Sequence, residues 1–396
     1  MVELTSESES YRIGPILTIS FFAHMLVHTY MVLFPVLMPF VIEEFSVDYL
    51  VVGAIYTLSN LAFGFGAIGA GHLTDRFGSR HLMVICSMGM GISSILAGLT
   101  SSLEGLALAL FLLGISASLY HPASFSLISK ATSSRGKAFG VHGVGGSIGL
   151  ALAPIIGVPV AMEWGWRTAF LILAIPGIAL GLATLTAKFG EVVARVRTRR
   201  KDIGGLLTKG FLLTLAIYAC YGLCFQGVIG FLPSFLTDIG GLVLGGIFAS
   251  ALTLAMGAPG QLVGGYLTDR KGALTFLIIS FFSLGAALVL MGITPGILAL
   301  AVALVAGFLL FSSQPGTGAL LADTSPHHSR GMAYGLAFMA NFGVGAIGTS
   351  LAGFVADITG DLTFVFPSMA TFMAIALGLL FILRRHADHR IQGETR

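Results

Sequence analysis

The sequence has few charged residues for its length. Asp, Glu, Lys and Arg make up 10% of its 396 residues, whereas about 25% is usual in soluble proteins. Apolar residues make up 56%, and they fall in long continuous runs. A chain with so little charge cannot cover the surface of a soluble protein of this size, so the sequence predicts a polytopic membrane protein.

Cysteine is also scarce. Cys86, Cys220 and Cys224 all fall in apolar runs, so the sequence indicates no disulfide framework. Cys220 and Cys224 share a helical face, which is more typical of small apolar packing than of a metal site. Residues 1–13 lack a basic n-region and a cleavage site, so we expect the first span itself to direct insertion.

Motifs for catalysis and nucleotide binding are missing as well. The glycines lie within apolar helices and do not follow strands, as a nucleotide-binding loop would require. We therefore predict no enzyme activity, no cofactor, no nucleic-acid partner and no primary pump. A non-transporting membrane sensor stays open, although the short loops leave no room for a soluble output domain.

Apolar runs of about 20 residues, the length needed to cross a bilayer, occur about twelve times. The predicted spans are residues 15–42, 49–71, 81–99, 103–128, 136–162, 165–188, 209–237, 241–266, 274–293, 296–322, 331–357 and 362–384. We therefore expect an all-α polytopic membrane protein with two pseudo-symmetric six-helix bundles. The bundles would be residues 1–190 and 209–396, joined by a basic cytoplasmic linker at 191–208.

Basic residues are distributed unevenly over the predicted loops. If the N-terminus is cytoplasmic, only Arg167 of the 21 Lys and Arg falls on the opposite side. That opposite side carries acidic residues, among them Glu44 and Asp361. By the positive-inside rule, both termini are predicted in the cytoplasm, with the chain in the inner membrane.

Two short motifs each occur twice. GHLTDRFGSR at 71–80 is repeated as GYLTDRKG at 265–272, and the aspartates Asp75 and Asp269 are 194 residues apart (269 − 75). RGKAFG at 135–140 is repeated as RGMAYG at 330–335, at an offset of 195 (330 − 135). The nearly equal offsets predict duplication of a six-helix unit.

The pattern Gly-x-Leu-x-Asp-Arg-x-Gly-x-Arg resembles the loop between the second and third helices of major facilitator superfamily transporters. In that family the loop helps to hold the cytoplasmic side closed. Gly78 would permit a turn that a side chain opposes. A basic loop that only sets topology is the simpler alternative. The gating residues that the resemblance implies are Asp75, Arg76, Arg80, Asp269 and Arg270.

Charged residues at the cytoplasmic ends of the fourth and tenth spans extend this hypothesis. Lys130 and Asp323 occupy corresponding positions there. We hypothesise that they form, with Arg135 and the two motif aspartates, contacts that are made in one conformation and broken in the other. Snorkelling to the membrane interface explains Lys130 equally well.

Unusual polar residues mark the first and fourth spans of each half, which the resemblance implies line a central cavity. His24 and His28 lie one helical turn apart on one face. Ionisable residues are costly within a membrane, and histidine titrates near pH 6.5. Packing with one hydrogen bond is the alternative for a single histidine, and it explains His142, which lies among glycines, equally well. The predicted substrate- or proton-binding residues are His24, His28, Tyr120, His121, Tyr221, Gln226 and Gln314.

The fifth span resembles the Gly-Pro motif of superfamily antiporters, although Ala153 and Val158 stand where glycine is usual. The motif predicts a closely packed helix face with a proline bend, suited to gating or to sealing against leak. The predicted helix-packing residues are Gly140, Gly149, Pro154 and Gly157.

The stretch Leu119-Tyr120-His121-Pro122, with the first and fifth spans, is most similar to the fosmidomycin-resistance branch of drug–proton antiporters. This resemblance implies proton-driven export of small drug-like or anionic organic compounds by alternating access. The expected partners are the small-molecule substrate, protons and the lipid bilayer, and we expect the monomer to be functional. The arginine common in the fourth span of drug antiporters is missing. An importer of a small organic anion is the alternative. A divalent-metal exporter using the span histidines is another, but no carboxylate accompanies them and no resident metal is predicted.

Overall fold

The computed structural model describes residues 11–47, 49–190, 206–240 and 251–394. Helices make up nearly all of these ranges. The first seven are α1 (Ile13–Phe45), α2 (Tyr49–Phe77), α3 (Ser79–Leu99), α4 (Leu103–Ser118), α5 (Tyr120–Ala131), α6 (Arg135–Trp164) and α7 (Trp166–Thr186). The remaining ones are α8 (Lys209–Gly240), α9 (Gly257–Lys271), α10 (Ala273–Ile293), α11 (Ile297–Thr324), α12 (Arg330–Phe338), α13 (Ile347–Thr359) and α14 (Val365–Glu394).

Eleven helical segments of the described ranges are long and apolar enough to cross a membrane. α4 and α5 together form one of them, Leu103–Ala131, and α12 and α13 belong to another, His327–Thr359. The predicted eighth span, residues 241–266, falls partly outside the described residues. In its described part, residues 251–255 and the start of α9 are helical. The predicted linker, 191–208, lies almost wholly outside them. The all-helical membrane fold is confirmed.

Glycine turns join consecutive helices at both copies of the first motif. Gly78, between α2 and α3, has φ 85°, and Gly272, between α9 and α10, has φ 80°. Such backbone angles are costly for residues that carry a Cβ atom. The turn predicted at Gly78 is thus present, and the second copy of the motif repeats it.

Buried apolar side chains form two clusters. The first lies mainly among α1–α7 and includes the fully buried rings of Tyr30, Phe34 and Phe170. The second lies among α8, α10, α11 and α14, around Phe281 and Phe366. Many other apolar side chains are exposed on the outer faces of the helices, as expected for a surface that contacts lipid chains.

The two duplicated motifs contact each other. Gly71 of α2 packs on Gly331 at the start of α12, and Gly265 of α9 packs on Gly136 at the start of α6. A Cβ atom added to Gly71 or to Gly265 would lie 3.0 Å from the carbonyl carbon of the facing glycine. The same contact therefore occurs twice, with the N-terminal and C-terminal parts exchanged, as in a pseudo-twofold interface.

Candidate transport site and gate

Four histidines from three helices meet inside the first core cluster. His24 and His28 come from α1, His121 from α5 and His142 from α6. The ring of His24 lies 4.7 Å from that of His28, 5.2 Å from that of His121 and 4.2 Å from that of His142, between centroids. His24, His121 and His142 are buried, and His28 is partly exposed. The structure thus brings the three predicted histidines together and adds His142.

Hydrogen bonds fix the proton positions on His24. Its Nδ1 lies 2.9 Å from the backbone carbonyl oxygen of His142. A carbonyl can only accept, so Nδ1 carries the proton and donates it. The other nitrogen of His24, Nε2, then presents a lone pair to Nε2 of His28, 3.0 Å away.

Tyr120 holds His142 in place. The Tyr120 hydroxyl donates to the backbone carbonyl of Ser20, so it accepts from Nε2–H of His142 at 2.7 Å. Ser124 adds a second contact to the same nitrogen at 3.2 Å. Tyr120 is fully buried. In this conformation it therefore positions the cluster, and its hydroxyl is occupied by protein groups.

His121 lies where the N-terminal and C-terminal parts of the chain meet. Its ring stacks on Phe338 of α12, with a centroid distance of 4.4 Å and an interplanar angle of 12°. Phe63 and Phe342 lie 5.8 and 5.9 Å away. Neither ring nitrogen of His121 has a hydrogen-bond partner among the described residues. A buried unpaired donor costs about 1–3 kcal/mol, so the ring is suited to take up a ligand.

The predicted residues of the C-terminal half do not converge in this way. Tyr221 is buried and its hydroxyl donates to the carbonyl oxygen of Leu310 at 2.7 Å. Gln226 on α8 and Gln314 on α11 are partly exposed. In this conformation the Tyr221 hydroxyl is bonded to the protein backbone, and the two glutamines are only partly covered.

A π-helical segment, Met339–Val344, directly follows Phe338. Its Asn341 is buried, and the side-chain oxygen has no hydrogen-bond partner within the described part of the chain. Wide turns of this kind are rare and are often found at functional sites. The sequence analysis missed this segment, because neither composition nor periodicity distinguishes it from an ordinary apolar helix.

Each motif aspartate binds the N-terminus of a helix from the other part of the chain. The carboxylate of Asp75 accepts from the backbone N–H groups of Gly331 and Met332, both at 2.9 Å. The carboxylate of Asp269 accepts from those of Gly136 at 2.7 Å and Lys137 at 3.0 Å. A carboxylate at a helix N-terminus satisfies free N–H groups and interacts favourably with the helix dipole.

Arginines complete this end of the molecule, which we call the basic end. Arg135 pairs with Asp323 at 2.5 Å. Arg330 is buried and donates to the carbonyl oxygens of Ser129 at 2.8 Å and Ala322 at 3.2 Å. The sequence analysis noted Arg330 only as part of a repeat. Arg330 occupies the position in the second repeat that Arg135 occupies in the first, and this equivalence was the signal that would have added Arg330 to the predicted gating residues.

The remaining predicted gating residues are Arg76, Arg80, Lys130 and Arg270. Arg80 donates to the carbonyl oxygens of Thr184, at 3.2 Å, and Leu185, so it joins α3 to the end of α7. Arg76 and Arg270 are exposed, with Arg270 bonded to the Tyr266 hydroxyl at 2.7 Å. Lys130 is partly exposed at the end of α5. These contacts of Arg80 and Arg270 lie within the N-terminal and the C-terminal part of the chain, respectively.

The glycines predicted to pack α6 do so against two different helices. Gly140 faces the backbone of Gln261 on α9. Gly149 and Gly157 face α1, where an added Cβ would lie 2.9 Å from the carbonyl carbon of Met25 and 2.9 Å from Cδ1 of Leu33, respectively. Pro154 lies within the helix and is exposed.

The fold and these sites define a membrane transporter. The chain belongs to the Major Facilitator Superfamily, whose family profile matches residues 19–348 and 246–396. The assignment identifies a multi-pass membrane protein that transports small molecules and is not an enzyme.

Two curated relatives transport organic anions by name. The gentisate transporter of Corynebacterium glutamicum is 25% identical over 88% of this chain and 84% of its own length. The probable sulfoacetate transporter of Cupriavidus necator is 25% identical over 59% of each chain. The crystal structure of the E. coli fucose:proton symporter aligns with a TM-score of 0.79 and 13% identity, covering 94% of this chain and 99% of that chain. This last likeness shows the fold alone.

Proposed function

We propose that this protein is a proton-coupled secondary transporter of small organic anions. The observation that carries the proposal is the histidine cluster, where four imidazoles lie within one buried contact group at the boundary between the halves. An imidazole that takes up a proton there becomes a cation in a medium of low dielectric constant, which is costly without a counter-charge. A bound organic anion supplies that counter-charge.

This electrostatic argument favours co-transport. A proton and an anion that share one site each lower the free energy of binding of the other, and such coupling is reciprocal. The names of the gentisate and sulfoacetate transporters support an anionic substrate. The fosmidomycin-resistance resemblance favours export instead, for which the glycine-rich face of α6 is the supporting feature. The experiment below therefore measures direction as well as substrate.

Alternating access follows from where the halves touch. We propose two bundles, residues 1–190 and 209–396, with the basic end and both termini in the cytoplasm of a bacterial inner membrane and with the monomer as the working unit. The contacts of Asp75, Asp269 and Arg135 across the halves then close the cytoplasmic end in this conformation. Breaking them and opening that end would release substrate to the cytoplasm or admit it from there.

Flux into proteoliposomes tests the proposal. Purified protein is reconstituted with gentisate and sulfoacetate as candidate anions, and accumulation is measured with an imposed pH gradient of either sign. We expect accumulation on the alkaline side, as co-transport requires. Accumulation on the acidic side would support export by exchange, and absence of proton-dependent flux for a panel of organic anions would refute the proposal.

Histidine variants separate coupling from binding. His24→Gln, His28→Gln and His121→Gln keep a hydrogen-bonding side chain but cannot carry the charge. We expect each to retain exchange of internal for external anion while losing accumulation driven by the pH gradient. His81→Gln is the matched control, because His81 is exposed at the basic end, in the first turn of α3, and its hydrogen bond is to the Phe77 carbonyl at the end of α2, far along the chain from the cluster. If all three cluster variants retained accumulation driven by the pH gradient, these histidines would be excluded as the proton-coupling residues.

A further inference from the structure

We propose that His24, His28 and His121 form a binding site for a divalent transition-metal ion such as Zn²⁺. This inference is independent of the transported substrate. One nitrogen from each ring lies within 4.8 Å of those of the other two. The sequence analysis predicted no resident metal here, because no carboxylate accompanies the three histidines within the spans.

The geometry is close to that of a bound ion. In an equilateral triangle with sides of 4.8 Å, the upper limit here, the centre lies about 2.8 Å from each corner (4.8/√3). Zinc–imidazole bonds are about 2.0–2.1 Å long and place three ligands of a tetrahedral ion about 1.9 Å from the centre of their triangle, so each nitrogen needs to move by about 0.9 Å or less. The Nε2 atoms of His24 and His28, at 3.0 Å, are already near the separation of about 3.3 Å that two ligands of a tetrahedral ion have. Small side-chain rotations therefore complete the site.

The environment of His24 is that of a metal ligand. Histidines that bind metals almost always donate their second ring N–H to a carboxylate or a backbone carbonyl, which directs the free lone pair at the ion. His24 donates Nδ1–H to the carbonyl of His142, and its Nε2 lone pair points to His28. In the absence of an ion, His28 must supply the proton between the two Nε2 atoms. An ion in its place would be bound by both lone pairs.

His121 supplies the second, independent observation. It is 3% exposed and both of its ring nitrogens lack a partner in the described part of the chain. Coordination of one nitrogen would satisfy a group that is otherwise buried at a cost. His28 is the one ligand of the three that is only partly buried.

The ligand set selects the metal. Three imidazoles suit Zn²⁺, Ni²⁺, Co²⁺ and Cu²⁺, whereas Mg²⁺ and Ca²⁺ prefer carboxylate and carbonyl oxygens. Three protein ligands leave one position of a tetrahedral ion open. Because the three imidazoles are neutral when they bind, that position is suited to hydroxide or to another small anion.

Metal binding is measured on the purified full-length protein with a tag that contains no histidine. After equilibrium dialysis against Zn²⁺, elemental analysis is expected to give one equivalent per chain. With Co²⁺, we expect the visible absorption of a tetrahedral complex, and X-ray absorption is expected to show imidazole scattering around the ion. No transport is needed for any of these three readouts, so a failure of the proposed function leaves this test intact.

Variants distinguish the site from binding elsewhere on the chain. His24→Ala, His28→Ala and His121→Ala are each expected to weaken Zn²⁺ binding at least tenfold, while the exposed His81→Ala control keeps one equivalent. His28→Cys keeps a zinc ligand at this position and is expected to bind Zn²⁺ more tightly than His28→Ala. This comparison separates loss of a ligand from misfolding. Wild-type protein without stoichiometric Zn²⁺, or undiminished binding by the triple alanine variant, would overturn the proposal.

Discussion

The substitution Asp75→Asn tests how the basic end is held closed. One carboxylate oxygen of Asp75 accepts from Gly331 N–H and the other from Met332 N–H. Asparagine keeps one acceptor, but its NH₂ group faces the second N–H, so one hydrogen bond is lost together with the charge at the N-terminus of α12. A hydrogen bond to a charged group contributes about 1.5–3 kcal/mol and the helix dipole up to about 2.

We expect the free-energy difference between the closed and open conformations to shift by about 2 kcal/mol toward the conformation in which the basic end is open. This is less than the sum of the two contributions, because water can partly replace the lost hydrogen-bond partner. The shift corresponds to a change of about 30-fold in the ratio of open to closed molecules. Asp269→Asn is expected to shift the ratio less. Asp269 is exposed and so is its bond to Lys137, whereas both bonds of Asp75 are partly buried.

Distances between spin labels report the ratio. Labels are placed at Ser133 and His328, which are exposed in the loops before α6 and α12. The native Cys86, Cys220 and Cys224 are first replaced by alanine. In the labelled protein that keeps Asp75, we expect most molecules to show the short label-to-label distance of the closed basic end. In Asp75→Asn we expect a larger share of molecules with a longer distance.

Asp361→Asn is the matched control. Asp361 also caps a short helical segment, by accepting from Thr363 N–H at 2.8 Å, but both residues lie in one half. The backbone hydrogen bond from Thr363 lowers the pKa of Asp361, so this cap is likewise made by the ionised carboxylate. We expect no change in the label distance. An unchanged distribution in both Asp75→Asn and Asp269→Asn would refute a role of the two caps in closure.

Two further changes test the interface and the packing of α6. Exchanging the charges of Arg135 and Asp323 is expected to restore most of the closure that either single charge reversal loses, as measured by the spin-label distance. The coupling free energy between the two side chains should be about 1 kcal/mol or less, because the Asp323 side chain is 55% exposed. Gly149→Ala is expected to lower thermal stability in detergent, because its Cβ would meet the Met25 backbone, whereas Gly69→Ala, with nothing within 4 Å, should leave the melting temperature unchanged or slightly raised.

Hydropathy and repetition were sufficient to predict the fold. Lipid contact requires continuous apolar helices, so each described span is visible in the sequence. The offsets of the duplicated motifs also predicted the internal symmetry. They did not reveal that one motif binds the other, since Asp75 and Gly331 are 256 residues apart. Contacts of this kind depend on which copy faces which, and a repeat within the sequence does not specify that.

The site was predicted in part for a similar reason. His24 and His28 were recognisable because one helical turn separates them, but the place of His142 depends on the rotation of α6 about its own axis. Glycines around His142 made packing an equally good explanation, and the structure shows both: Gly146 packs against the His24 ring while His142 bonds Tyr120. Tyr221 was chosen by residue type, and its role in binding stays a prediction; its hydroxyl donates to the Leu310 carbonyl in this conformation.

A single helix links the basic end to the histidine cluster. α12 begins next to the Asp75 cap, and seven residues separate Gly331 from Phe338 (338 − 331), which is about 10 Å along a helix axis. Phe338 stacks on His121, and the π-helical segment starts at the following residue. We therefore expect loss of the cap to loosen the element that covers His121. Conversely, we expect a ligand that reorients His121 to weaken the seat of Phe338, because coupling between two sites is reciprocal. The wide turn after Phe338 is where we expect α12 to move without carrying α13 with it.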